Sequence, residues 1–445
     1  MWLIIILFVS VLFIVISTSK FQFHAFLALL FAAIGFGLAA RMPLADIVSA
    51  INDGFGGTIG SIGIVIIAGV IIGTFLEQSG GAFAMAKQIL KIIGEKHVPL
   101  AMSIIGYIVS IPVFADSGFV ILIPLNRALS KQAKISLAGS AIALSTGLIT
   151  THCLVPPTPG PLAAAAILKA DIGLVIILGM VVSIFSAVAG WIFATRFASK
   201  TYIDPEPEVS EADIAAKLKE APSALKAFVP IFMPIILIVL KSIADLPKHP
   251  LGEGLLRDFV GFIGAPVIAL LIGVLLSFLL PKKLEMQMLS TTGLVGQAIF
   301  SAGLIIMITG AGGSFGMMLR KSPIASVLGE FLSKGNLGMW LPFIVAAAIK
   351  TAQGSSTVSL ITTSSLIAPL MGPLGFESEM AKTLVVLSIG AGSMVVSHAN
   401  DSIFWVITQM TRMDVKTGYR LHTLSTFVIG LTSATVVWII SLFVL

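Results

Sequence analysis

Two short polar stretches, Phe114-Ala-Asp-Ser-Gly-Phe119 and Gln353-Gly-Ser-Ser-Thr357, interrupt apolar segments that are each too long for one membrane crossing. A bilayer core offers no water to free backbone groups. Irregular polar chain at that depth therefore persists only where protein buries it or where it lines a cavity. One such interruption in each half of a chain is the pattern expected of a carrier that binds its cargo at mid-membrane.

The 445 residues are 57% hydrophobic and 11% charged, with a mean hydropathy of +1.06, whereas soluble domains carry about 25% charged residues. An all-α polytopic membrane protein is expected, with the lipid bilayer as its main partner. Basic residues on cytoplasmic loops account for the net charge of +6, so no nucleic-acid partner is expected. Cys153 is the only cysteine, which excludes an intrachain disulfide and a thiolate metal cluster. The composition calls for neither a metal nor any other cofactor. The run Trp2–Ile16 lacks a basic leading region and a small-residue cleavage site, so it reads as a retained first helix.

Apolar runs of spanning length, roughly 17–25 residues, fall at 2–18, 22–40, 58–76, 172–195, 228–246, 259–280, 295–313 and 423–445. Residues 98–128 are too long for one crossing and carry Pro112 and Gly118 near the middle, leaving two arms of about 21 Å each at helical rise. Lys91, Lys96 and His97 on one flank and Arg127, Lys131 and Lys134 on the other put both ends on the cytoplasmic side, a re-entrant hairpin. Residues 338–370, broken at Gly354, have the same form. Residues 136–168 and 383–410 read as single crossings interrupted by His152-Cys-Leu-Val-Pro-Pro-Thr-Pro-Gly-Pro161 and Ser397-His-Ala-Asn-Asp-Ser402.

The order repeats. A helix ending in Gly80-Gly-Ala-Phe83 precedes the first hairpin and broken helix, and one ending in Gly312-Gly-Ser-Phe315 precedes the second pair. With five crossings and a hairpin in each half, the second copy is inserted upside down. The expected organisation is a first membrane repeat over 1–199, a cytoplasmic linker over 200–226 and a second repeat over 227–445. With both termini outside, the larger share of the 27 lysines and arginines is cytoplasmic.

Ionisable groups near the midplane are functional candidates because each costs at least about 2.5–3.5 kcal/mol to insert. Asp116, beside Ser117 and Gly118, suits a coupling proton or cation, or caps the second arm of its hairpin. Gln353, Gly354, Ser355, Ser356 and Thr357 offer many neutral hydrogen bonds to a hydroxylated or carboxylated solute. Lys350, one turn earlier, meets a substrate carboxylate or neutralises Asp116 or Asp401. His152 and His398 hold matching places in the two copies and suit proton relay or hydrogen bonding to hydroxyls. The prolines at 156, 157, 159 and 161 forbid continuous helix and expose backbone carbonyls. Thr158 lies among them. Asn400 and Asp401 stand at the facing break, where Asp401 binds a cation or caps the next half-helix.

Ile111-Pro-Val-Phe114 with Asp116 and Gly118-Phe119, His152 followed by Val155-Pro-Pro and Pro159-Gly-Pro161, Ala352-Gln-Gly-Ser-Ser-Thr-Val358, and Ser397-His398 with Asn400-Asp-Ser402 and Phe404-Trp405 together resemble the gluconate permease (GntP) family. The resemblance runs in order over nearly the whole chain. It implies a proton-coupled symporter for gluconate or a related sugar acid in the bacterial cytoplasmic membrane. It also implies the scaffold and transport domains of the wider ion-transporter superfamily, and a homodimer. Asp116 and Asp401 become the proton-coupling candidates. Ser117, Gly118, His152, Thr158, Lys350, Gln353, Gly354, Ser355, Ser356, Thr357, His398 and Asn400 become the substrate-binding ones. Two departures bear on the substrate. Ala115 and Ser117 flank Asp116 where Phe and Val are familiar, and Thr158 stands where many members carry His. Other hydroxylated acids, glycerate or D-serine among them, therefore stay open. So do sodium in place of the proton as the coupling ion and a cation/proton antiporter without organic substrate, although the neutral Gln353–Thr357 cluster and Lys350 favour an organic anion. An intramembrane hydrolase lacks a His-Glu-x-x-His motif or metal-ligand set, and no enzyme activity is expected.

Overall fold

A computed structural model describes residues 2–21, 23–94, 97–205, 221–245, 254–322, 324, 337–399 and 401–445. The central part of the expected linker, 206–220, lies outside the described residues, as do Lys96 and Asn400. The described chain is helical, without strands. Among the described residues, five helices are long and apolar enough by themselves to cross a membrane, or seven if each of two bent pairs counts as one.

The first half begins with α1 (Trp2–Ser19), α2 (Ala25–Ala39) and α3 (Leu44–Gln78). At 35 residues α3 is far longer than the run 58–76 suggests. Glycines and polar residues over 52–61 lower its hydropathy, yet they remain helical because a neighbouring helix packs on them. A sharp turn through Gly80, with φ +75°, leads into α4 (Gly81–Ile93), an amphipathic helix that the hydropathy pattern does not mark as a separate element. Glycine accepts that left-handed conformation without a Cβ clash.

The first hairpin follows, α5 (Val98–Val109) and α6 (Ala115–Gln132), with Pro112 in the break and Gly118 already inside α6. The first broken helix is α7 (Leu137–Leu154) and α8 (Pro159–Leu168). Pro159 sits in the first turn of α8, where a missing N–H costs nothing. The half closes with α9 (Ile172–Arg196).

The second half opens with α10 (Ala224–Ala244) and a bent pair, α11 (Leu255–Ile263) and α12 (Pro266–Ser277), meeting at 64°. The run 259–280 is thus not one straight helix. Pro266 removes a donor and pushes Ala265 out of helical conformation. Next comes α13 (Leu294–Lys321), which passes through Gly312-Gly-Ser-Phe315 without ending there. This corrects the helix end expected at Gly312, and the parallel with Gly80 fails at this point. The second hairpin is α14 (Trp340–Gln353) and α15 (Ser356–Ile367), closed by a bond from Ser359 Oγ to Ala346 O of 2.7 Å. The second broken helix is α16 (Glu379–Met394) and α17 (Ser402–Thr411). One helical turn, Val415–Gly418, and a π-helical turn, Tyr419–Thr423, run into α18 (Leu424–Val444).

The two long helices α3 and α13 cross at glycine. A Cβ on Gly54 would lie 2.4 Å from Gly313 O, so only a bare backbone allows this approach. From the crossing, α3 reaches the tip of the first hairpin at Pro112, and α13 packs against Ile361 and Ser365 of the second. Small residues at such contacts are how helices pack closely in lipid, where apolar burial gives little drive.

Candidate functional site

Both hairpin tips and the second helix break converge on one cavity of about 430 Å³. Its wall includes Asp116 and Ser117 of the first tip, and His152 near the end of α7. The second tip contributes Gly354, Ser355, Ser356 and Thr357, with Lys350 one turn before. Ser397, Asp401 and Ser402 complete it from the second break. Phe114, Ile149, Met394 and Ile403 supply the apolar part. A cavity of this volume, mostly polar with a smaller apolar part, suits a small polar organic solute.

Local rules set these positions. Gly354 has φ +89°, open to glycine and costly for other residues, which lets the chain reverse after α14. Ser355 then caps α15, its Oγ accepting from Val358 N at 3.2 Å. Phe114, not Asp116, occupies the cap position of α6 and offers no side-chain bond, so the capping role open to Asp116 is not the one it plays. Asp116 lies in the first turn of α6, and its Oδ2 accepts from Ser402 Oγ at 2.8 Å.

The centre of the site is ionic. Lys350 Nζ lies 2.5 Å from Asp401 Oδ2, with side chains 1% and 7% exposed. The ammonium also donates to Gly354 O. Of the two roles open to Asp401, the cap is seen, Oδ1 accepting from Ile403 N of α17 at 3.3 Å, while Oδ2 pairs with Lys350, one of the partners expected for that lysine. Ser397 Oγ donates to the same Oδ2 at 2.5 Å and is in turn 3.0 Å from His422 Nε2. Val396, just before, holds φ +53°, a strained conformation for a β-branched residue and typical of functional sites.

Other expected residues sit elsewhere. His398 Nε2 pairs with Thr351 O at 2.7 Å, outside the cavity wall. Gly118 is buried against Leu148, where a Cβ would meet the leucine at 2.7 Å. Thr158 is buried with its hydroxyl on Val155 O at 2.8 Å, and the proline break packs at Pro157 O against Gly69 of α3 rather than lining the cavity. The side chain of Gln353, like all of Asn400, lies outside the described residues. His422 escaped the sequence reading because it lies in the basic stretch before the last apolar run, where Arg412, Lys416 and Arg420 mark a loop flank rather than a buried site. Arg127, read from sequence as a cytoplasmic flank, is 3% exposed, and its guanidinium donates to Met410 O at 2.5 Å, near the end of α17. Gly312-Gly-Ser314-Phe-Gly316 has the spacing of a hydrolase nucleophile elbow. Ser314 nevertheless sits inside α13 with its hydroxyl on Ile51 O and Gly310 O, not on a strand-to-helix turn.

The model of the GntP family permeases matches residues 1–443. This chain belongs to that family. An uncharacterized permease of Haemophilus influenzae is 38% identical over 92% of this chain and 86% of its own length. A gluconate permease of Pseudomonas aeruginosa is 32% identical over 98% and 96%, respectively. The D-serine transporter DsdX of Escherichia coli K12 is 32% identical over 96% and 95%. Among solved structures, the YdaH transporter of Alcanivorax borkumensis superposes with a TM-score of 0.63, covering 90% of this GntP permease and 89% of that chain at 14% identity. The permease is thus a multi-pass membrane transporter of small molecules and not an enzyme. Its fold is that of transporters with broken and paired helices.

Proposed function

We propose that this GntP permease imports gluconate or a related sugar acid across the bacterial cytoplasmic membrane by proton symport. The charge balance of the cavity carries the reading. One lysine, Lys350, faces two carboxylates, Asp116 and Asp401. Fully ionised, the three sum to a single negative charge, and an entering acid anion would add another at membrane depth. A proton on either carboxylate removes that cost, so anion binding and protonation favour each other. Ser117, Ser355, Ser356 and Thr357 supply neutral hydrogen bonds for the hydroxyls of the solute.

On this reading the halves 1–199 and 227–445, joined by 200–226, are inverted repeats whose hairpins and broken helices move against the remaining helices. Both termini lie outside, and the permease pairs as a homodimer. For a monoanion one proton makes the cycle electroneutral, and a second lets the membrane potential contribute about 2.3 kcal/mol per charge per 100 mV.

The test is uptake of labelled gluconate into proteoliposomes under an imposed inward proton gradient, with and without sodium. Gradient-driven uptake without sodium supports the symporter. No uptake of gluconate, with glycerate or D-serine carried instead, moves the substrate to another hydroxylated acid. Sodium-dependent uptake would replace the coupling ion.

A further inference from the structure

His422 is fully buried on the π-helical turn before α18. Its Nε2 faces Ser397 Oγ at 3.0 Å, while its Nδ1, equally buried, has no hydrogen-bond partner among the described residues. The charged groups that act on the ring are Asp401 and Lys350. Phe404 of α17 covers one side of it, with centroids 6.2 Å apart. The packed helix α7 brings no acidic or basic side chain apart from His152 near its C-terminal end. π-helical turns recur at functional positions because they displace one residue from the regular helical path.

We infer that His422, Ser397 and Asp401 form a proton exit wire that switches Lys350 between its carboxylate partner and the substrate. This rests on the proton symport proposed above. The hydrogen-bond polarity follows from donor and acceptor capacity. With Asp401 ionised, Ser397 donates to Oδ2 and must accept from a protonated Nε2, leaving Nδ1 bare. With Asp401 protonated, Oδ2–H donates to Ser397, Ser397 donates to a bare Nε2, and Nδ1 carries the hydrogen.

Passage between the two states balances. Nδ1 gives its proton to a water molecule that reaches it during the cycle, Nε2 takes the hydrogen of Ser397, and Ser397 takes that of Asp401. One proton departs and Asp401 becomes a carboxylate. Because Lys350 and Ser397 share the same oxygen of Asp401, a neutral Asp401 leaves the ammonium free for a substrate carboxylate. Substrate can still exchange on the protonated carrier, but net delivery requires Asp401 to ionise and reclaim the ammonium before the empty carrier returns. The π-helical turn follows Arg412 and Lys416 in the chain and includes Arg420, the basic flank of the proposed cytoplasmic side, and on that orientation the proton is released inward.

His422→Gln tests this. The glutamine amide still donates to Ser397 but cannot pass a proton from one end to the other. The readout is the ratio of proton-gradient-driven accumulation to counterflow of labelled gluconate at equal pH on both sides, measured alongside thermal unfolding in detergent. A relay predicts that the ratio falls about tenfold or more in the folded variant. Ser397→Ala should lower it in the same way, and Ser397→Thr, which keeps the hydroxyl, should restore it. An unchanged ratio in His422→Gln, including a parallel loss of both activities, overturns the wire while leaving symport intact. Absence of gradient-driven uptake in the unmodified permease instead overturns the symport reading.

Discussion

Ser402 donates a hydrogen bond of 2.8 Å to Asp116 across 286 positions of sequence, joining the tip of the first hairpin to the second helix break. The acid is therefore held by a residue of the other half, and its protonation is felt there. Asp116→Asn keeps the size and an acceptor oxygen but removes the titrating group. We expect it to lose accumulation against a gradient while sparing some exchange, with exchange less dependent on pH than in the unmodified permease. Normal uphill uptake in proteoliposomes would exclude Asp116 from coupling.

Lys350→Met strands a buried carboxylate, which costs about 3–5 kcal/mol when one partner of such a pair is removed. The expected outcome is a lower unfolding temperature and no uptake. Lys350→Met with Asp401→Asn, which keeps a side chain able to cap α17, should recover most of the stability but none of the transport. Recovery of uptake in the double variant would make the pair structural only.

The crossing of α3 and α13 predicts a sharp contrast between neighbouring glycines. Gly54→Leu drives a side chain into the backbone of Gly313 and should destabilise by about 1–3 kcal/mol or more. Gly56→Ala, whose Cβ meets nothing within 4 Å, should be neutral or stabilise by about 0.5–1 kcal/mol through helix propensity. Thermal unfolding in detergent separates them, and equal effects would place the crossing elsewhere.

Thr158→Val should leave the apparent KM for the transported acid within about twofold, since its hydroxyl serves the chain at Val155 and not the cavity. A competition panel of sugar acids, glycerate and D-serine measures this. A changed order of preference would show that the proline break reaches the substrate during the cycle.

Much of this arrangement is legible in the sequence because membranes punish irregular backbone. Asp116, Lys350, Gly354 and Asp401 stand out as polar groups at breaks in apolar runs. What stays hidden is whatever helical periodicity and hydropathy do not mark. The glycines of α3 lower the local hydropathy and conceal a helix that continues by packing on α13. Arg127 resembles an ordinary loop cation until α17 places a carbonyl above it. His422 follows a basic, loop-like stretch, and only the fold buries it and brings it to Ser397. Thr158 shows the converse, a polar residue at a break whose hydroxyl is taken up by its own turn.

The bond from Arg127 to Met410 O has a consequence for leakage. It fastens the arm that carries Asp116 to the half-helix that begins just after Asp401. If Asp116 and Asp401 are the coupling acids of the proposed symport, this bond favours their moving as one unit. A carrier whose two acids parted company in mid-cycle would let protons slip through without cargo, dissipating the gradient that the cell spends energy to maintain. Fastening them with a buried guanidinium makes that short circuit a matter of breaking a charge-assisted bond rather than of chance timing.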